Sequence, residues 1–101
     1  MADSYDLVEV VGNQQINSGE SIVPFTVYLS ENFAVYKLNS NIDREIVTVT
    51  PDSNGDWAVD LIENTNMAGS VGYIFDFGDR TSIKVVPSTP ATHDYYDLET
   101  L

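Results

Sequence analysis

Short runs of alternating apolar and polar residues are the feature that most limits the folds open to this chain. Alternation with a period of two is typical of strands that bury one face, and no stretch keeps the helical spacing i, i+3, i+4, i+7 over three turns. Turn-forming residues separate the runs at intervals of roughly ten residues, which favours a sandwich of short strands. The pattern predicts seven strands, at residues 7–11, 23–29, 33–38, 44–50, 57–62, 71–77 and 81–86.

Aromatic side chains on the apolar faces of these runs supply the expected core. Because each predicted sheet has one apolar face, two sheets have to cover each other. We therefore expect an all-β fold, an antiparallel β-sandwich of about seven strands. Its centre is predicted to hold four large rings, those of Phe25, Trp57, Tyr73 and Phe75.

Two glycine-containing turns predict β-hairpins. Asn54-Gly55 lies between the fourth and fifth runs and is a strong short hairpin signal, because both residue types accept a positive φ. Gly78-Asp79 forms a second tight turn between the sixth and seventh runs. We expect the strands on either side of each turn to pair with each other.

The character of the chain changes after Pro87. Residues 1–87 are predicted to form the sandwich domain, whereas 88–101 begins as a proline-punctuated linker without apolar alternation. Its acidic, aromatic end predicts an extended C-terminal docking tail that adds to a neighbour's sheet edge or fills its pockets. The docking side chains would be Tyr95, Tyr96, Leu98 and Leu101.

Charge narrows the choice of partners. Sixteen acidic residues face four basic ones, for a formal net charge of −12. Nucleic-acid binding through a basic patch is excluded, because phosphate contacts need clustered lysine and arginine. The acids are scattered, and solubility explains them most simply. Two sharper interpretations stay open, a basic partner surface and mimicry of a nucleic-acid backbone.

No catalytic, cofactor or metal site is expected. The chain has no cysteine and its single histidine, His93, lies in the predicted tail rather than beside a nucleophile. Four side chains match calcium-loop positions 1, 3, 5 and 12, namely Asp52, Asn54, Asp56 and Glu63. Position 6 of such a loop needs glycine and is Trp57 here, so a turn explains these residues better. We predict a non-enzymatic protein without a cofactor.

Targeting signals are not expected either. Residues 1–6 lack the basic region and apolar run of a signal peptide. No stretch approaches the roughly 18 consecutive apolar residues of a membrane span. The sequence therefore predicts synthesis in the cytoplasm and no membrane partner.

About half of the chain, residues 45–98, carries a family resemblance. Residues 49–61 (VTPDSNGDWAVDL) resemble a hairpin of phage virion appendage modules, in which an acidic Asn-Gly turn precedes tryptophan and an alternating strand. In these modules an aromatic strand follows, as in 72–77 (GYIFDF), and then a strand ending in Val-Pro, as in 84–87 (KVVP). An acidic Asp-Leu segment completes the pattern, as in 96–98 (YDL).

The resemblance implies an immunoglobulin-like or transthyretin-like sandwich from a tail fibre, a fibre adaptor or a head decoration. Fibre proteins usually continue into a shaft or receptor-binding domain, whereas this sequence stops at Leu101, which favours a small adaptor or capsid decoration. The expected function is that of a virion structural protein that docks through its termini on other virion proteins, with self-assembly into a homo-oligomer compatible with that role.

Two alternatives come from other functional classes. One is an acidic nucleic-acid mimic that inhibits a host defence nuclease, which requires a contiguous acidic face. The other is a carbohydrate-binding module on the virion surface, which requires exposed aromatic rings and has Trp57 as its best candidate.

Overall fold

The computed structural model describes residues 7–14, 23–37, 40–78 and 80–101. The described residues form nine strands and a 3₁₀ turn. These are β1 (Leu7–Asn13), β2 (Phe25–Leu29), β3 (Phe33–Tyr36), β4 (Ser40–Asp43), β5 (Val47–Val49), β6 (Asp56–Ile62), β7 (Tyr73–Asp76), β8 (Thr81–Lys84), β9 (Thr92–Asp94) and the 3₁₀ turn Tyr95–Asp97. The end of the predicted third strand at residue 38, residue 79 of the second turn, and residues 1–6 fall outside the described residues.

Two sheets form the sandwich. The first has three strands in the order β6-β1-β9, and the second has four in the order β5-β2-β7-β8. The pairs are antiparallel except β1 with β9, which run parallel. A separate antiparallel pair joins β3 and β4. The all-β sandwich predicted from the alternation is confirmed, with nine strands in the described part of the chain where about seven were expected.

The period-two pattern explains why these residues form strands. In β6, Trp57, Val59 and Leu61 are buried, while the residues between them face solvent. The strands β2 and β7 alternate in the same way. Each large apolar side chain that is removed from water contributes about 1.5–3 kcal/mol, so a one-residue slip would expose the whole buried set.

An aromatic cluster occupies the centre of the core. The ring of Trp57 meets Phe25 edge-on at 4.9 Å between centroids, and Phe75 meets Tyr95 edge-on at the same distance. The four rings predicted for the core are all buried. Tyr95 joins them although it was predicted to dock on a partner, because the C-terminal segment folds back over the sandwich.

The predicted hairpin at Asn54-Gly55 is wrong, whereas the one at Gly78 is confirmed. The strands before and after Gly55 belong to different sheets, since β5 pairs with β2 and β6 pairs with β1. The turn itself is present: Gly55 has φ +86° and Asp52 Oδ1 accepts hydrogen bonds from the backbone N–H of Asn54 and Asp56. The turn connects one sheet to the other as an arch. A tight turn reverses the direction of the chain, but it does not determine which strands the two flanking segments pair with. In contrast, β7 and β8 pair directly across Gly78.

The C-terminal segment closes one side of the sandwich. β9 extends the first sheet by pairing with β1, and the 3₁₀ turn then carries the chain across to the second sheet. There the N–H of Val85 donates to Glu99 O and the N–H of Leu101 donates to Ile83 O, both at 2.9 Å. Residues 88–101, predicted as an extended tail, thus contribute to both sheets.

Candidate functional site

The outer face of the first sheet is acidic. Its three strands contain no lysine or arginine. The register places Glu9 opposite Asp60 on this face, and Asp56 and Asp94 lie on the same side because they pair with Asn13 and Val11. The four basic residues of the chain lie outside these three strands, at Lys37, Arg44, Arg80 and Lys84. Among them, Arg80 acts on the Tyr96 hydroxyl, where burial raises the pKa and the charge of Arg80 favours a lower pKa without outweighing burial. A partner that approaches this face therefore meets a negative potential.

A groove of about 530 Å³ crosses this face, and we call it the acidic groove. Ala58 contributes to its depth, since it lies on this face opposite Val11 and its methyl group leaves a depression that a larger side chain would fill. A Cβ at Gly12 would lie 2.6 Å from Cε2 of Trp57, so the indole beneath the sheet requires glycine there. The lining residues are Val11, Gly12, Asn13, Asp52, Asp56, Trp57, Ala58, Asp94 and Tyr96.

Hydrogen bonds hold the polar walls of the acidic groove in place. Asn13 Nδ2 donates to Asp56 Oδ1 at 2.6 Å, and Asp94 Oδ1 accepts from the backbone N–H of Tyr96 at 3.0 Å, which caps the 3₁₀ turn. Each of these two carboxylates is anchored through one oxygen atom. Anchored carboxylates lose little side-chain entropy when a cationic group binds between them.

Tyr96 supplies the exposed ring of the acidic groove. Its side chain is 55% exposed and meets Tyr95 edge-on at 5.7 Å. Partial desolvation raises the pKa of the Tyr96 hydroxyl above its ordinary value. The phenol therefore stays neutral and can donate a hydrogen bond throughout the physiological range.

The four predicted docking residues separate into two pairs. Tyr95 and Leu98 lie in the domain's own core, whereas Tyr96 and Leu101 remain exposed. Of the exposed pair, only Tyr96 lines the acidic groove; Leu101 lies beside Gly72 at the edge of the second sheet. Of the four predicted docking residues, Tyr96 and Leu101 are therefore the two that a partner could contact.

The remaining sequence candidates have structural partners. His93 Nε2 lies 3.1 Å from Pro87 O, and the Asp52 carboxylate accepts a hydrogen bond from a backbone N–H of its own turn. Within the described residues, no group of three or more histidine, cysteine, aspartate or glutamate side chains is arranged to hold a metal ion. Trp57 is only 5% exposed, which removes it as a platform for sugar stacking.

Glu63, which matched calcium-loop position 12, is a buried carboxylate, and its burial is what sequence reasoning missed. Its Oε1 accepts from Tyr36 Oη at 2.6 Å and from Asn66 Nδ2 at 2.8 Å, while Oε2 accepts from the N–H and the hydroxyl of Thr65. Burial by itself raises the pKa of Glu63, but the hydrogen bonds from Thr65, Tyr36 and Asn66 outweigh it and hold the pKa below its ordinary value. The sequence feature that could have predicted this burial is the run of short polar side chains directly after Glu63, which can donate hydrogen bonds to its carboxylate.

Comparison of this chain with protein-family models, with curated proteins and with solved structures finds no match. No helix in the part of the chain that the structure describes is long and apolar enough to cross a membrane.

Proposed function

We propose that this chain is a non-enzymatic virion structural protein that docks on another protein of a phage particle through its acidic groove. The acidic groove is proposed as the docking surface because the exposed Tyr96 ring lies there beside anchored carboxylates, on a sheet whose strands contain no lysine or arginine. The phage setting, the role as fibre adaptor or capsid decoration, and an immunoglobulin-like or transthyretin-like type of sandwich are supported by the resemblance of residues 45–98.

The chemistry of the acidic groove suits a cationic side chain of the partner. An arginine guanidinium can stack on the Tyr96 ring while it donates hydrogen bonds to Asp94 or Asp56, which combines a cation–π contact with an ion pair. Arginine and tyrosine are also among the residues that dominate interface energies. The occupant we propose is therefore an arginine- or lysine-bearing surface of a neighbouring virion protein.

A second copy of this chain is a poor partner for the acidic groove, because its basic side chains already contact aromatic rings of their own domain. Each of its four basic side chains lies 5.2–5.3 Å from the centroid of an aromatic ring of its own domain. With a net charge of −12, two copies repel each other at long range. A homo-oligomer held by another surface stays a prediction, which light scattering at low and high salt would test.

The two alternatives have less support from the surface. Carboxylates also lie outside the first sheet, such as Glu31 before β3 and Asp76 in β7 of the second sheet. A nucleic-acid mimic needs its charge concentrated on one face, and this distribution favours a docking domain instead. The carbohydrate-binding alternative loses its best candidate because Trp57 is buried.

The test uses particles purified from cells that express the chain with its genomic neighbours. Quantitative mass spectrometry is expected to find the chain at a fixed copy number per particle, and Tyr96→Ser to lower incorporation by about tenfold, which is about 1.4 kcal/mol of docking energy. Phe33→Ser is the matched control, because Phe33 is similarly exposed, at 57%, but lies on β3. Absence of the chain from the particles, or equal loss in both variants, would overturn the proposal.

A further inference from the structure

A second groove opens between the two sheets, and we call it the edge groove. It measures about 300 Å³ and lies where β6 of the first sheet faces β5 of the second. Leu29, Leu61 and Tyr73 of the core form its floor, and Leu7 and Val47 stand beside them. A volume of this size accepts one or two large apolar side chains. Core residues at the bottom of an open groove are a source of binding energy, because a ligand there removes apolar surface from water.

The backbone of β6 has groups beside this groove that no described residue pairs with. The N–H of Gln14 donates to Gly55 O, so in the antiparallel register Trp57, Val59 and Leu61 are the β6 residues that bond to β1. The N–H and C=O groups of Ala58 and Asp60 consequently point away from β1. No described residue bonds to them, and on their side β6 has no neighbour among the described strands.

The two sides of the sandwich differ in how they are closed. On one side the C-terminal segment crosses from β9 to the edge of β8 and covers it. On the other side, among the described residues, β5 and β6 are outer strands with the edge groove between them. An exposed strand edge with an apolar groove next to it is the arrangement that accepts an additional strand from another chain.

Charge identifies the chemistry of that added strand. Asp43, Glu45 and Asp60 line the edge groove together with apolar side chains, and no basic residue lines it. These three carboxylates are exposed. The C-terminal segment of a second copy is itself acidic, so like-charge repulsion disfavours it as an occupant. A basic, extended partner segment satisfies both the apolar groove and the acidic residues around it.

We propose that β6 accepts an extended segment of a partner protein in which large apolar residues alternate with lysine or arginine. Its backbone bonds to the free groups of Ala58 and Asp60. Because side chains alternate across a strand, its apolar residues enter the edge groove while its basic residues face the carboxylates. This surface shares only Ala58 with the acidic groove and does not use Tyr96, so the inference stands whether or not Tyr96 docks on a virion protein.

The experiment uses the full chain and a synthetic ten-residue peptide of alternating valine and lysine. The comparison peptide has the same composition arranged as five lysines followed by five valines, which cannot place its apolar residues on one side of a strand. Binding is measured by titration calorimetry, and the amide exchange of Ala58 and Asp60 by NMR. We expect the alternating peptide to bind at least about tenfold more tightly and to protect both amides from exchange.

The variant Asp60→Lys separates binding from folding. Asp60 lies directly opposite Glu9, so lysine replaces a like-charge pair by an opposite-charge pair and the domain stays folded. Affinity for the alternating peptide should fall by about tenfold. Asp97→Lys makes the same charge change in the 3₁₀ turn and should bind nearly as the parent chain does. The proposal is overturned by no binding, by binding without protection of the two amides, by equal binding of both peptides, or by unchanged affinity in Asp60→Lys.

Discussion

At the scale of single residues, Glu63 shows how a carboxylate can be buried through hydrogen bonds, with no cation beside it among the described residues. Four hydrogen bonds from Tyr36, Thr65 and Asn66 satisfy its two oxygen atoms. They connect the end of β6 to β3 and to the loop after β6, so the carboxylate holds three segments together. An ionised carboxylate is the group best suited to this position, because it accepts hydrogen bonds at both oxygens and has no donor.

Replacement of Glu63 by glutamine tests this role. The amide group would place N–H donors against donors of Thr65, Tyr36 or Asn66, and at least one buried group would lose its partner. We expect Glu63→Gln to lower the free energy of unfolding by about 2–3 kcal/mol, measured by urea denaturation at pH 7. Asp97→Asn makes the same chemical change on an exposed side chain and should alter stability by less than about 0.5 kcal/mol.

The same carboxylate predicts a pH dependence. Its pKa is lowered in the folded state from an ordinary value of 4.5, so the unfolded chain takes up the proton first. The contribution of Glu63 to stability is complete above pH 4.5 and is lost as pH falls through the lower folded pKa. The stability difference between the parent chain and Glu63→Gln should therefore shrink below that pH. This pH dependence would be contradicted if the stability difference between the two chains stayed constant down to the lowest pH at which both fold.

At the scale of elements, β1 and β6 determine both the core and the acidic groove. Their register places Gly12 beside Trp57, so the smallest residue of β1 lies over the largest residue of the core. The indole occupies the space under the sheet into which a side chain at position 12 would point. The depression outside comes from Ala58, which lies opposite Val11 on the outer face.

The variant Gly12→Ala tests this contact. A Cβ at this position meets the Trp57 ring well inside van der Waals distance, and the ring has to shift. We expect a loss of about 1–3 kcal/mol in the free energy of unfolding and a red shift of tryptophan fluorescence. In Gly69→Ala only the positive φ of +79° opposes the side chain, since nothing lies within 4 Å. That variant should lose stability without a change in tryptophan emission, and an unshifted spectrum in Gly12→Ala would contradict the contact.

At the scale of the whole molecule, the C-terminal segment is part of the sandwich. Strand β9 pairs with β1, Tyr95 and Leu98 lie in the core, and residues 99–101 cover the edge of β8. The domain uses its last fourteen residues, 88–101, to close one side of the sandwich, while the β5–β6 side remains open in the described structure.

Deletion of residues 88–101 should therefore unfold the domain. Each buried large side chain that is lost costs several kcal/mol, and the total approaches the stability of a domain of this size, about 5–15 kcal/mol. Circular dichroism during heating should show no cooperative transition for the truncated chain. Removal of Leu101 alone, which is half exposed, should leave a cooperative transition. A truncated chain that folds normally would instead support a separate tail.

What the sequence determined by itself is the local pattern of burial. The alternation in residues 57–62 predicted which side chains of β6 lie inside, and Gly55 and Gly78 predicted two reversals, because both signals depend on neighbouring residues only. The absence of lysine and arginine from β1, β6 and β9 is also a property of the sequence, although it becomes a surface only once these strands pair.

The tertiary structure decided which strands pair and what the C-terminal segment does. The arch at Asn54-Gly55 joins two sheets because β5 and β6 find partners in β2 and β1, strands that are distant along the chain. β9 is three residues long and carries no alternation of its own, so only the exposed edge of β1 makes it a strand. The grooves are decided in the same way, since pairing is a competition between distant segments for buried surface and hydrogen bonds, and no local pattern contains its outcome.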